Sequence, residues 1–192
     1  MDDETYVKRD YRQLPGNVYY VSSVRGKVNK KFKYVCVDKF APKVLVWQAI
    51  CECGLKSKAF ATTNNMNENL YIKECMQNRL LPFIRSHKGP TLFWPDLASC
   101  HYSKKTLNWY QENNVKFICK NNNPPNCPAF RPIEKFWAVT KRILKKTKRT
   151  VKDAKSLLNS WNNAARKIRT NVVQNLMGGI RRKMRLYLRE SS

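Results

Sequence analysis

The sequence predicts an α/β protein, a mixed sheet flanked by helices with a basic helical C-terminal tail. Three observations predict it. Strand-like runs come first, DETYVK and VLVWQAIC, and a strand–helix–strand–helix succession follows from residue 91. Alternation of this kind packs helices on both faces of a sheet. From residue 154 onward the apolar residues keep helical spacing, and the opposite faces are almost purely basic. With 192 residues and 42% apolar side chains, the chain can bury a core of one domain or slightly more.

Residues 1–11 read as a first strand that starts abruptly, with only Met1 and Asp2 before Asp3. Residues 18–24, VYYVSSV, read as a second strand, and a basic loop follows to residue 42, with an extended piece at residues 34–37. Residues 43–61 read as a hairpin turning at Glu52-Cys53-Gly54. Residues 67–86 have helical spacing, with Leu70, Ile72, Cys75, Leu80, Leu81 and Ile84 on one face and Asn65 or Asn67 as the cap. Thr91-Leu92-Phe93-Trp94, closed by Pro95 and Asp96, reads as a buried strand. A helix over 103–113, a strand over 115–118, a loop over 120–128 and a helix over 132–146 follow, the last with Pro at its first turn.

Charge sets the class of partner. The chain has 38 Lys and Arg against 13 Asp and Glu, a net +25, and the segment 131–192 supplies +15 of it. A field of that sign favours a polyanion, most simply nucleic acid. There is no apolar run long enough to span a membrane, and the polar, acidic start is no signal peptide. The seven cysteines, at 36, 51, 53, 75, 100, 119 and 127, include no CxxC pair. That scatter predicts reduced thiols, each a small buried apolar residue, and no zinc site.

Three of the few acidic residues stand at element ends. Asp96 ends the strand-like run, which is where open α/β sheets keep their sites, although it can equally cap the helix over 103–113 or close a turn. Glu134 starts a helix after the Pro-rich loop, and Asp3 heads the first strand.

Four blocks carry a family resemblance: Asp3-Glu4-Thr5-Tyr6; Val46-Trp47-Gln48-Ala49-Ile50; Phe93-Trp94-Pro95-Asp96-Leu97-Ala98-Ser99-Cys100-His101; and Asn123-Pro124-Pro125 with Arg131-Pro132-Ile133-Glu134-Lys135-Phe136-Trp137. In this order, over nearly the whole chain, they resemble the DDE-type catalytic domain of Tc/mariner superfamily transposases. The resemblance implies an RNase H-like fold for residues 1–149, its first strand truncated, and a basic helical extension over 150–192 packing on it. It implies Asp3, Asp96 and Glu134 as catalytic residues and ligands of two Mg²⁺ or Mn²⁺ ions. Such ions activate an attacking oxygen and stabilise a leaving one in phosphoryl transfer. Asp2 competes with Asp3 for the first place. The 37 residues between Asp96 and Glu134 are a variant spacing, and the extra ones fall in a loop, where insertion costs little.

The implied activity is metal-dependent DNA cleavage and strand transfer in the nucleus. The half of the family's chain that carries helix-turn-helix units is expected to be missing, so DNA contact is expected to be non-specific in sequence. Arg131, Lys135, Lys141, Arg142, Lys145 and Lys146 are the candidates for the DNA backbone, against a plain solvated face. A homodimer is left open, and no membrane partner is expected. The alternatives are a catalytically inactive, transposon-derived DNA-binding protein and an RNA-binding basic protein. His101 is expected to be a core histidine rather than a ligand, and Trp94, Phe136 and Trp137 are expected in the core.

Overall fold

The computed structural model describes residues 1–15, 21–30, 38–125, 127 and 130–190. Three strands, β1 (Asp2–Lys8), β2 (Lys43–Ala49) and β3 (Phe60–Thr62), form an antiparallel sheet in the order β1–β2–β3. Asp3 faces Gln48 across the first ladder, and Trp47 faces Phe60 across the second. The turn between β2 and β3 passes through Gly54 at φ +89°, where an added Cβ would lie 2.3 Å from Thr170 Cγ2. Glycine is required there by conformation and by space. The expected hairpin over 43–61 is therefore present.

Five helices follow. α1 covers residues 68–85, α2 is Lys104–Glu112, α3 is Pro132–Lys146, α4 is Ala154–Lys167 and α5 is Thr170–Glu190. Asn67 caps α1, Ser103 caps α2 and Asp153 caps α4, each side chain accepting from a backbone N–H of the first turn. Asp96 is thus not the cap of α2.

The middle of α1, Tyr71–Leu80, is π-helical. Pro82 follows directly, and the Leu81 N–H bonds to the Met76 carbonyl, five residues back. Proline inside a helix removes a donor and clashes with the preceding turn, and the wider turn makes room for it. The shifted period brings Tyr71, Cys75, Met76, Leu80 and Leu81 to the buried face, while Leu70 and Ile72 are only half-buried. The expected face, read at the α-helical period, omits Tyr71 and Met76 for this reason.

Three strand expectations are corrected, one of them the strand over 115–118, which is a single bridge at Phe117. Residues 18–20 and 34–37 lie outside the described residues, but Val21 and Val24 are exposed and belong to no strand. The run 91–94 is not a buried strand: Leu92 is exposed, and only Phe93 pairs, in a parallel bridge with Phe117. Pro90 and Pro95 bracket the run and cannot donate to a ladder, so pairing stops after two residues. Those two residues still occupy a sheet lane. Asp2 N–H donates to the Trp94 carbonyl, and Phe93 exchanges bonds with Lys116 and Ile118. Backbone hydrogen bonds thus run from β3 through β2 and β1 to residues 93–94 and then 116–118.

β2 is buried on both faces. Val44 and Val46 face one core, with Ile133, Phe136 and Trp137 of α3, Leu157 and Trp161 of α4, and Val173 and Ile180 of α5. Trp47 and Ala49 face the other, with Tyr71, Cys75 and Met76 of α1 and Trp109 and Tyr110 of α2. Helices therefore cover both faces of the sheet, and residues on both sides of position 149 share one core. Trp161, fully buried, also donates its indole N–H to the Gln48 side-chain carbonyl at 3.0 Å. Trp161→Ala is expected to cost about 3–5 kcal/mol of unfolding free energy. Urea denaturation checks this; a cost under about 1 kcal/mol would show that α4 does not carry the core.

Candidate active site

Alternation along β1 sends successive acidic side chains to opposite faces. Asp2 points into the core shared with α1. Its Oδ2 accepts from the Trp47 indole at 2.8 Å and from the Tyr71 hydroxyl at 2.8 Å, and its Oδ1 has no partner. Asp3 lies on the other side of the strand, half-buried, its Oδ1 accepting from the Glu4 N–H at 2.7 Å. One carboxylate oxygen each from Asp3, Glu4 and Asp96 lies within 4.8 Å of the others. Asp3 and Asp96, more than 90 residues apart in sequence, therefore converge as expected from their element ends. Glu4 joins them, and its place in the sequence does not single it out.

Asp96 is held in place from two sides. Asn123, itself buried, accepts from the Trp94 indole at 2.8 Å and donates to the Pro95 carbonyl at 2.9 Å. An indole N–H only donates and a carbonyl only accepts, so these partners fix the amide orientation. Arg131 donates to the Pro95 carbonyl at 3.2 Å and to the Asp2 carbonyl at 2.6 Å, and its guanidinium lies 3.5 Å from Asp96 Oδ1. The Asn-Pro-Pro and Arg-Pro-Ile-Glu segments thus anchor the ends of two sheet lanes.

Behind the site lies a buried histidine. His101 Nδ1 is 3.0 Å from the Asp96 carbonyl oxygen and Nε2 is 3.0 Å from Glu4 Oε1. The carbonyl only accepts, so Nδ1 carries a proton. Burial pulls the His101 pKa down, but bonds to Cys100 and Glu4 and the charge of Asp2 outweigh it and raise it well above the usual value. The His101 ring stacks on Tyr71 at 4.1 Å.

Glu134 stands in the first turn of α3, exposed, and is not one of the three converging carboxylates. Its helix is nonetheless tied to them at two points. Arg131, at the N-cap, reaches Asp2, and Lys141, two turns along, donates to the Thr5 hydroxyl at 2.6 Å. Glu134, Ala138 and Lys141 share one stripe of the helix. Only its Lys141 end is seen to meet β1, at Thr5; Glu134 and Ala138 are exposed, and Glu134 lies about 10 Å along the axis from Lys141, toward the Arg131 end. Burial lowers the Lys141 pKa, and Asp3 partly restores it.

The remaining basic candidates divide. Lys135, Arg142 and Lys146 are exposed and recur at spacings of seven and four on one face of α3. Lys145 is half-buried, and Arg131 spends its donors on backbone and Asp96. Trp94 is half-buried, whereas Phe136 and Trp137 are in the core.

Burial pushes the Asp3 carboxyl up to about 7; Arg131 opposes this and the Asp96 charge adds to it. The donors gathered here are hard carboxylate oxygens, and that chemistry fits Mg²⁺ or Mn²⁺.

No protein-family model and no curated protein matches the chain. Among solved structures it is similar to "Mos1 transposase paired-end complex with left transposon end", with a TM-score of 0.69 at 12% identity, over 93% of this chain and 51% of that one. "Crystal structure of the Mos1 mariner paired end complex with Mn" gives the same values. "Crystal structure of the Mos1 Strand Transfer Complex" gives a TM-score of 0.68 at 12% identity, over 95% of this chain and 51% of that one. The likeness is one of fold, and the chain spans about half the length of the chains it matches.

The raised Asp3 pKa has a sign that can be measured. A carboxyl with a higher pKa folded than unfolded binds more protons in the folded state, so its contribution to stability falls as pH rises toward 7. Without metal, Asp3→Asn is expected to melt higher than the parent chain above pH 7 and at the same temperature near pH 3, below the ordinary carboxyl value of 3.8. With Mn²⁺ above pH 7 the order reverses, because only the parent carboxylate gains a ligand. Calorimetry of both proteins at both pH values, with and without Mn²⁺, reads the melting temperatures.

Proposed function

We propose that the chain is a transposase-type catalytic domain of the Tc/mariner kind, RNase H-like, that cleaves and joins DNA strands with divalent metal. The observation that carries the reading is the meeting of Asp3 and Asp96 at the ends of adjacent sheet lanes, under the N-terminus of the helix that bears Glu134. The lane order from β3 through β2 and β1 to residues 93–94 and 116–118 supports an RNase H-like sheet. The fold shared with Mos1 transposase supports the reading, as does the manganese of one Mos1 paired-end complex.

In this reading Asp3, Asp96 and Glu134 hold two Mg²⁺ or Mn²⁺ ions. Such ions, when bound, lower the pKa of attacking water and neutralise charge on the phosphate. Asn123 and Arg131 hold Asp96 at a fixed position, because chemistry of this kind tolerates little misplacement. Glu4, bonded to His101, is the neighbouring carboxylate whose charge is already balanced. Glu134, in the first turn of the helix that Arg131 ties to β1, would supply the third carboxylate. Lys141 keeps a cation beside Asp3. Lys135, Arg142 and Lys146 contact DNA phosphates without reading sequence. A chain of net +25 with this activity works on nuclear DNA. Residues 150–192 serve as a basic helical extension of the catalytic body.

One observation favours a second reading. Glu134 stands apart from the other carboxylates, as it would in an inactive DNA-binding descendant. Nicking of supercoiled plasmid separates the two. The active reading expects nicking with Mn²⁺ or Mg²⁺, none with EDTA, and none from Asp96→Asn or Glu134→Gln. Glu134→Gln should bind DNA as well as the parent or slightly better, since a negative charge near phosphate is removed. Metal-independent binding without nicking would favour the inactive reading. A clear preference for RNA at matched salt would count against both.

Salt titration tests the basic face. Replacing Lys135, Arg142 and Lys146 together with alanine should flatten the slope of log K against log salt by about 3, roughly 0.9 for each phosphate no longer neutralised. An unchanged slope would place the DNA elsewhere.

A further inference from the structure

A second group of metal-ligating side chains lies outside the carboxylate site. Cys51 and Cys53 flank the β2–β3 turn, and His87 follows the end of α1. One ligand atom from each lies within 4.8 Å of the others. Cys53 Sγ is 3.2 Å from His87 Nε2. Sulfur and nitrogen ligands sharing one tetrahedral ion at about 2.3 and 2.0–2.1 Å stand about 3.6 Å apart, so the observed 3.2 Å has to open by only a few tenths of an ångström.

The cluster is built before any ion arrives. His87 Nδ1 lies 2.7 Å from the Phe83 carbonyl oxygen, which can only accept. The ring proton is therefore on Nδ1, and Nε2 offers its lone pair to the Cys53 side. An outer bond of this kind, from the far ring nitrogen to a carbonyl, is how metal-binding histidines are oriented. The ring is also held edge-on against Phe83, with centroids 5.0 Å apart. Cys53 N–H donates to Cys51 Sγ at 3.4 Å, which fixes the two residues to each other. The turn is pinned as well: Gly54 N–H donates to the Cys51 carbonyl, Cys51 N–H to the Leu55 carbonyl, and the Gln174 amide of α5 to the Cys53 carbonyl at 3.1 Å. Rigid support of this kind separates a site from a chance meeting of side chains.

Two thiols and an imidazole select a borderline-soft ion over Mg²⁺ or Mn²⁺. We propose that Cys51, Cys53 and His87 form a Zn²⁺ site that fastens the β2–β3 turn to the end of α1. The three residues line a groove of about 830 Å³, which gives the ion an entry path and leaves its fourth position to water. On binding, two S–H bonds are exchanged for two S–Zn bonds, and both protons leave to solvent. The site is independent of the catalytic reading, since it uses different residues and a different class of ion. The described cysteines are free thiols, as expected, but of them only Cys75 is buried; Cys53 and Cys119 are exposed, Cys51, Cys100 and Cys127 are half-buried, and Cys36 lies outside the described residues.

The test is a Co²⁺ titration of the full chain, purified reduced and metal-free, followed by Zn²⁺ competition. One equivalent of Co²⁺ should give the intense visible bands of a tetrahedral site with a near-ultraviolet thiolate charge-transfer band, and Zn²⁺ should bleach both. Cys53→Ser and His87→Gln should each weaken Zn²⁺ binding by at least about 100-fold, the upper end of what loss of an outer-shell partner costs. Cys119→Ser and Asp96→Asn should leave the titration unchanged. Weak octahedral bands without charge transfer, or undiminished binding in Cys53→Ser and His87→Gln, would overturn the proposal. A second measurement needs no variant. Zn²⁺ should protect Cys53, but not Cys119, from alkylation read by mass spectrometry, and equal labelling of Cys53 with and without Zn²⁺ would overturn the site.

Discussion

The guanidinium of Arg131 is the joint on which the site depends. It reaches the carbonyls of Asp2 and Pro95 and lies beside the Asp96 carboxylate, so one side chain ties β1, the 93–96 lane and the start of α3 together. Those lanes share little ladder of their own, because Pro90 and Pro95 end the pairing after two residues. A charged fork with fixed geometry supplies the register that the missing strand bonds do not. Asn123 repeats the device on the other side of Asp96 with a neutral amide. Without these two residues Asp96 would sit on a loop, beside an Asp3 already fixed by the β1–β2 ladder.

The electrostatics follow from that frame. Asp2, Asp3, Glu4 and Asp96 gather in a chain with only 13 acidic residues. Each is balanced differently. Asp2 is buried against an indole and a phenol, Glu4 is bonded to His101, and Asp96 lies beside Arg131. Asp3 accepts from one backbone N–H and feels the charges of Arg131 and Lys141, yet burial outweighs them and pushes its carboxyl up to about 7. A poorly balanced carboxylate beside a second one is where an added cation gains most.

Much of this is legible in sequence. The α3 boundaries, 132 to 146, follow from proline at the first turn and the apolar period, and the hairpin follows from its glycine turn. Asp3 and Asp96 stand out because a carboxylate at a strand end is exposed to chemistry. Other features are not legible, for identifiable reasons. The π-helical segment of α1 breaks the period by which a helix face is read, so Tyr71 and Met76 escape that reading. Thr91–Trp94 looks apolar enough for a buried strand, yet its two flanking prolines limit it to one bridge. Glu4 and Asn123 act through tertiary partners nearly 100 and about 30 residues away. The Cys51–Cys53–His87 cluster joins a turn to a helix end, and only its Cys-x-Cys half is a local signal.

The most direct measurement is the position of Mn²⁺ in crystals of the chain, by anomalous scattering. The account predicts a peak bridging Asp3 and Asp96, with the Glu134 carboxylate drawn toward it. Mn²⁺ bound elsewhere, with Asp3 and Asp96 bare at saturating metal, would contradict it.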